Sequence, residues 1–328
     1  MAYDDLLKIR TWSLGGKKTE NITGLLQSKT WSGSARDCCR QLSFDVLTAG
    51  LCELGGLTRL YHGTEVLFSG HIRERTRDAA LHTIGCVAYD HGLFLKTNST
   101  YLQVRGRTPE DVTAALCGEF GIAVGALAAT GVKLRRNFMG VTLYGIIQTL
   151  YTLAAEQTGK QYQIRFLGDR LHVVVREKTA DTIRLLPGVN LLDCVAGEST
   201  TGMVTRVAVF DEQCRKKATY DSPEGFTALY GLMQTAIRAD KREDPATTAK
   251  QLLADGGIQT TLTVSCLGNT KLITGNSVAV HEPVTGTDGL FWITSDRHSF
   301  QHGIYCTKLT LSFHNLMDRQ EAGSLPTK

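Results

Sequence analysis

Asp296, His298, His302 and Cys306 fall within eleven positions in the phrase TDGLFWITSDRHSFQHGIYCTKLTLSF, close to the end of a 328-residue chain. Two histidines and a carboxylate are metal ligands, and a cysteine beside a histidine is a candidate nucleophile with its base. Either chemistry requires the side chains to converge. His298 and His302 would share a face only on a helix, where positions i and i+4 are neighbours. Gly289, Gly303 and the alternation of apolar and polar residues predict instead a hairpin between two strands. In the second strand Tyr305, Thr307, Leu309, Leu311 and Phe313 point one way, and Cys306, Lys308, Thr310 and Ser312 the other. Cys306 therefore shares a face with a lysine, and Asp296 and the histidines read as turn or interface hydrogen-bonding groups.

Other short motifs lack a needed residue. GGKKT (Gly15 to Thr19) has no upstream glycine for a phosphate-binding loop, and GNSVA (Gly275 to Ala279) has alanine where a nucleophile elbow needs glycine. HEPVT (His281 to Thr285) lacks the second histidine of a zinc-protease helix and carries a proline after Glu282. Asp211 and Glu212 are adjacent carboxylates with no motif around them. The sequence therefore assigns no catalytic, cofactor-binding or metal-binding residue, and the expectation is a protein that is not an enzyme and carries no cofactor.

The elements that would hold such groups are mostly strands. Residues 1–94 consist of short apolar runs punctuated by Gly, Ser and Asp, as in a barrel or sandwich, with Gly70 placed for a bulge or tight bend. From Tyr101 the pattern changes. Thr108 is an N-cap followed by Pro109, with Asp111 at the capping-box position, Gly121 as the stop, and Val112, Leu116 and Phe120 as the apolar stripe of a short helix. A second helix repeats Leu143, Ile146, Ile147, Leu150, Tyr151 and Ala154, and Gly159 closes it. QYQIRF and LHVVVR read as strands, so that residues 95–185 form a small α+β domain. Strands resume at MVTRVAVFD (Met203 to Asp211). Ser222-Pro223 and Asp244-Pro245 each open a helix, giving a helical insertion over 222–256 in a second β domain spanning 186–318. QTTLTVSC, NSVAVHE, LFWITSD and IYCTKLTLSF complete that domain, and residues 319–328 are left as a tail. The order G-T-E-V-L-F, charged excursion, TIGCVAYD is echoed by G-N-S-V-A-V, LFWITSDRHSF, IYCTKLTL, which suggests the same kind of barrel at both ends.

Composition narrows the classes further. Hydrophobic residues make up 42 % and charged residues 21 %, with a net charge of +4. No apolar run approaches a membrane span, and MAYDDLLKIR has acids where a secretory signal has bases, so neither export by a signal peptide nor a spanning segment is expected. Basic residues are dispersed, and the denser spots RERTR (Arg73 to Arg77) and CRKK (Cys214 to Lys217) read as solvated strand or turn ends. Nine cysteines without a C-x-x-C read as reduced, mostly buried small hydrophobes of a protein assembled in cytosol.

Several phrases in order, ITGLLQSKTWSGSARDCCRQLSFDVL, YDHGLFLKTN, FGIAVGALAATGVKLRRNFMGVTLYGIIQTLYTLA, ESTTGMVTRVAVFD, YGLMQT, GNTKLITGNSVAVHE and DGLFWITSDRHSFQHGIYCTKLTLSFHNLMD, resemble the XkdQ/YqbQ-type proteins. That family supplies the baseplate hub of contractile phage tails, PBSX-type prophages and phage-tail-like bacteriocins. The resemblance covers Ile22 to Asp318; the Cys38–Cys39 pair departs from the family pattern, and the sequence offers no functional account of it. It implies a mainly β protein with two tube-type β-barrel domains flanking the α+β domain. It implies a homotrimer with pseudo-sixfold symmetry joining a sixfold tail tube, or tube initiator, to a threefold spike. Baseplate and LysM-type adaptor proteins would lie around it, the tape measure could touch its lumen, and DNA would pass only in an infectious particle. The expected location is the tail baseplate of a virion or bacteriocin assembled in the bacterial cytoplasm. The alternatives are a tail-associated cell-wall hydrolase or another ring protein of the tube or baseplate.

Overall fold

The computed structural model describes residues 7–47, 52–80, 82–178, 182–223, 225–239, 244–301 and 303–326. The first strands are β1 (Leu7–Trp12), β2 (Thr19–Asn21), β3 (Leu26–Ser34), β4 (Gln41–Val46), β5 (Leu57–His62), β6 (Glu65–Asp78) and β7 (Thr83–Asp90). They are followed by α1 (Gly92–Thr97), β8 (Ser99–Arg107), α2 (Pro109–Glu119), β9 (Val124–Leu127), β10 (Leu134–Thr142), α3 (Leu143–Thr158), β11 (Tyr162–Leu167) and β12 (Arg170–Val175). The remaining elements are β13 (Ile183–Leu185), β14 (Leu191–Ser199), β15 (Arg206–Phe210), β16 (Lys216–Asp221), α4 (Phe226–Tyr230), β17 (Gln234–Arg238), α5 (Pro245–Asp255), β18 (Gln259–Leu267), β19 (Ser277–Glu282), β20 (Thr287–Gln301) and β21 (Ile304–Ser312). The chain is thus mainly β, as its alternation predicts.

Thirteen strands from both ends of the chain form one sheet, in the order β14-β18-β21-β20-β3-β4-β7-β6-β5-β1-β2, with β19 pairing β20 and β13 pairing β19. This order contains a repeat. The run β3-β4-β7-β6-β5-β1 is matched by β14-β18-β21-β20-β19-β13. In each half a meander with a long central strand, β6 or β20, sends its last strand back against an earlier one, β4 or β18. The halves differ at their sixth strand, since β1 runs antiparallel to β5 and β13 parallel to β19. The echo in the sequence matches this duplication in its last element, TIGCVAYD in β7 with IYCTKLTL in β21, but not in its first, because GTEVLF opens β6 whereas GNSVAV lies in β19, the counterpart of β5. Alternation buries one face of each strand: Leu262, Val264 and Cys266 of β18 are buried, as are Tyr305, Thr307, Leu309 and Leu311 of β21. Phe313, just past β21, breaks the expected row and is exposed.

Gly70 lies within β6 for a reason other than a bulge. A Cβ there would stand 2.3 Å from the carbonyl oxygen of Tyr89, so the position tolerates no side chain. The bulge of β6 against β7 falls between Ile72 and Glu74 instead.

Residues 92–175 build an α+β core around α3. Thr142 caps that helix by accepting from the Gly145 N–H, and Gly159 ends it with φ 70°. Thr108 caps α2 in the same way, accepting from the Asp111 N–H. Leu143, Ile146, Ile147, Leu150, Tyr151 and Ala154 are all buried, each of the larger ones worth about 1.5–3 kcal/mol on transfer from water. The polar flank of α3 is buried too, because residues 318–324 run along it. Tyr144 Oη donates to Asp318 at 2.6 Å, and the Ala322 N–H donates to Thr149 Oγ1 at 3.0 Å. Ser324 pairs with Asn137 beside the sheet of β8 and β10.

Residues 195–262 form a second compact unit. Its sheet is β16-β15-β17, with β16 antiparallel and β17 parallel to the central β15, and α5 packs on it. Two expectations are corrected here. MVTRVAVFD contributes β15 to this separate sheet, whose Val207, Ala208 and Val209 are buried, and does not join the large one. The segment opening at Ser222 yields only the five-residue α4, because Gly231 adopts φ 90° and the next residues extend into β17. The insertion over 222–256 is therefore helix, strand and helix. α5 follows its Asp244-Pro245 start as predicted, with Asp244 accepting from the Ala246 N–H.

Candidate functional site

The two halves of the large sheet meet where β3 lies antiparallel to the far end of β20, from Ser34 opposite Ser295 to Lys29 opposite Phe300. β20 runs past β19, which pairs with it only as far as Trp292, and a bulge against β21 falls between Ile293 and Ser295 at that point. This bulge repeats that of β6, and the residue before each is braced identically. The Gly55 N–H donates to Ile72 O and the Ile72 N–H to Gly56 O; the Gly275 N–H donates to Ile293 O and the Ile293 N–H to Asn276 O. Arg75 and Asp296, each three residues past its isoleucine, hold the preceding loop through Cys52 O and the Thr274 N–H.

Asp296 and His298 of the reactive cluster lie inside this join, within β20 and 2 % and 0 % exposed. Of the two roles the sequence left open, turn or interface hydrogen bonding, their position inside a strand excludes the turn for Asp296 and His298. Asp296 accepts from both terminal nitrogens of the Arg40 guanidinium, from the Thr274 N–H at 2.7 Å and from Thr274 Oγ1 at 2.5 Å. Arg40 reaches it over the face of Trp31, 4.1 Å from the ring centre. That approach depends on Gly33, opposite Asp296, where a Cβ would fall 2.3 Å from Arg40 Nη1. Trp31 faces His298 across the join with ring centres 4.7 Å apart. His298 Nδ1 lies 2.7 Å from Tyr305 Oη and 3.2 Å from Thr307 Oγ1, and its Nε2 lies 3.3 Å from Asp296 Oδ2. Lys29 is buried at the end of the join, over the Phe300 ring at 5.0 Å and donating to Leu7 O at 3.2 Å.

The electrostatics assign protons. Burial alone would raise the Asp296 carboxyl, but the charge and hydrogen bonds of Arg40, with His298 close by, outweigh it and hold Asp296 well below the usual carboxylate range. Burial lowers His298, with Asp296 opposing only in part, so the imidazole is neutral at pH 7. An ionised aspartate saturated by a guanidinium, next to a neutral histidine with no solvent access, presents no free base to a substrate. The cluster closes a sheet. It couples residues 256 positions apart in sequence.

The other candidates are scattered. His302 lies outside the described residues. Cys306 is half-buried on β21 opposite Ser299. Gly15 and Gly16 take the positive φ angles of the turn between β1 and β2. His281 and Glu282 end β19, with His281 3.4 Å from Asp288 in solvent. Asp211 is occupied by Arg215 and Lys217 at a turn. No group of three or more metal-ligating side chains occurs among the described residues. Six of the nine cysteines are buried, and burial pushes Cys117 up to about 11 and Cys266 up to about 12. Among the described residues, no helix is long and apolar enough to cross a membrane. Sequence reasoning missed Arg40, Trp31, Gly33 and Thr274, whose role comes entirely from pairing across the chain.

Residues 29–312 match the YQBQ-like family, an interval that begins within β3 and ends with β21. The chain belongs to the YQBQ-like family. Among its relatives is the phage-like element PBSX protein XkdQ of Bacillus subtilis, 24 % identical over 72 % of this chain and 74 % of that protein. The 43 kDa tail protein of prophage MuSo2 from Shewanella oneidensis has a similar structure, with a TM-score of 0.71, 13 % identity and coverage of 93 % of this chain and 98 % of that one. A tail protein from Neisseria meningitidis is similar with a TM-score of 0.67, 15 % identity and coverage of 96 % and 99 %. The YQBQ-like chain thus shares its fold with phage tail proteins.

Proposed function

We propose that this YQBQ-like chain is a tail hub: a homotrimer whose three copies close a ring between a sixfold tail tube, or its initiator, and a threefold spike, lining the central channel. The observation that carries the reading is the duplicated strand order within one sheet, each half centred on a long, bulged strand. Three chains with two similar halves each present six similar faces to a sixfold neighbour while remaining a trimer to a threefold one. On this reading the halves are two tube-type barrel domains. The names of the PBSX relative and of the tail proteins sharing the fold favour the same assignment.

The work of such a hub is geometric. Strand edges are satisfied by neighbours, which removes surfaces that would otherwise aggregate, over an obligate contact of roughly 2,000 Å² or more. Exposed polar positions such as Thr261, Lys308 and Thr310 suit a wetted wall. A channel passing DNA would avoid rings of Lys and Arg, which retain phosphate through counterion release. Baseplate and LysM-type adaptor proteins would meet the outer surface, and assembly would take place in the bacterial cytoplasm. Native mass spectrometry of the purified chain, alone and with its spike protein, tests the proposal. A trimer that binds one trimeric spike is expected; a monomer in both samples would overturn it. Release of peptidoglycan fragments by the purified protein would overturn its non-catalytic part.

A further inference from the structure

The repeat leaves one place unfilled. Beyond its bulge β20 is flanked on its outer edge by β3, from Ser295 to Phe300. Counting from Ile72 and Ile293, the counterpart of that edge on β6 is Glu74 onward. There β7 covers one side of Arg73–Arg77, and no strand pairs with the other among the described residues. The counterpart of β3 is β14, which ends the large sheet with β18 as its one strand neighbour among the described residues, beside a single bridge from Pro187 to Leu191 at its start. The burial differs accordingly. Asp296 and His298 are buried under the join, whereas their counterparts Arg75 and Arg77 are half-buried and exposed. Trp31 is buried on β3, whereas β14 exposes Leu192 and Val195 at 56 % and 55 %. An edge strand left open is a template for another strand.

We infer that β14 of one copy adds as an antiparallel strand to the Arg73–Arg77 edge of β6 in the next copy, repeating between copies the join that β3 and β20 make within one. The partner is a second copy of this chain. β14 and β6 do not pair within the chain among the described residues, although each is the counterpart of a strand that does. Charge supports the match: RERTR carries three arginines and one glutamate, while LLDCVAGES carries Asp193 and Glu198 and no base. Basic and acidic edges also fix the pairing against two like edges, which would repel. The inference rests on the hub reading and adds to it the strands and charges that close the ring. Three joins within copies then alternate with three between them.

Two experiments on the full chain test it. In a Cys194→Ser background, Arg77→Cys is combined in turn with Asp193→Cys, Val195→Cys and Gly197→Cys, and each is oxidised after native mass spectrometry. The expected result is a disulfide between copies for at least one pairing, found as a peptide joining the 73–79 region to the 191–199 region and absent from each single variant. A trimer in which none of the three pairings links would overturn this inference and leave the ring standing. A monomer at every concentration and with spike protein present would overturn the ring itself. Separately, Arg73→Glu, Arg75→Glu and Arg77→Glu together should weaken trimer formation roughly tenfold or more, and adding Asp193→Lys with Glu198→Lys should restore it. Trimer formation unchanged by the first set, with an unchanged melting temperature, would contradict the charge match.

Discussion

Removing the Arg40 charge should cost far more than removing a surface ion pair. Arg40→Met keeps a flexible chain over Trp31 but strips Asp296 of both guanidinium hydrogen bonds. Asp296 has 0 % of its side chain exposed and cannot turn to water. An uncompensated buried charge costs about 3–5 kcal/mol, against about 0–1 for an exposed pair. The reverse variant, Asp296→Leu, leaves the Thr274 N–H unsatisfied at about 1–3 kcal/mol, while Arg40, 17 % exposed, can partly reach solvent. The double variant removes both charges and should be no less stable than the poorer single, giving a coupling of about 2 kcal/mol or more. Urea unfolding followed by tryptophan fluorescence reads these costs, since Trp31 lies under the guanidinium. Single costs below about 1 kcal/mol that add within about 0.5 in the double variant would refute the claim that this pair locks the two halves.

Gly33→Ala should cost about 1–3 kcal/mol, because its Cβ would meet the anchored Arg40 guanidinium, whereas Gly24→Ala, with nothing within 4 Å, should stay within about 0.5; equal melting temperatures would contradict this. Replacing residues 200–258 by a short Gly-Ser turn should leave the rest of the chain folded, since β14 and β18 are hydrogen-bonded neighbours at that break and Thr261 Oγ1 already donates to Gly197 O; loss of all cooperative unfolding would show otherwise. Acid should destabilise the fold. Asp296 is held low, so its contribution is complete above about pH 4–5 and is lost as pH falls further; His298 is also lowered, so its contribution is complete above about pH 6.5 and shrinks below that. Asp90, raised by burial to about 6, has the opposite sign and recovers stability as pH falls from about 6 toward 4. Asp90→Asn should therefore steepen the acid loss in that window, and an unchanged slope in urea midpoints would refute the assignment.

Local chemistry was the legible part of the sequence. Thr108, Thr142, Gly159 and Asp244 mark helix ends because caps satisfy backbone groups only a few residues away. The hairpin of β20 and β21 was equally plain, since alternation and Gly303 act within a few positions. What alternation could not report is which strand lies beside which. MVTRVAVFD alternates as well in a small sheet as in a large one, so nothing near it showed that β15 leaves the main sheet. Gly231 set the true end of α4, yet a glycine within a pattern of apolar residues can also sit inside a helix. Asp296 and His298 looked reactive because their partners Arg40 and Trp31 are more than 250 residues away, and only the register of β3 on β20 brings them together. α1, β8 and β10 went unread because α1 is only six residues long and the two strands bury few side chains, Val104 in β8 and Leu134 and Phe138 in β10, too few for an alternating pattern.

A single-particle cryo-EM reconstruction of the purified chain with the proposed spike protein puts the account to its most direct test. The expected map has three copies around an axial pore, with six strand joins of one kind, three formed by β3 and β20 and three by β14 and β6. A map with one closed module per copy, or with copies meeting through other elements and no shared sheet, would contradict it.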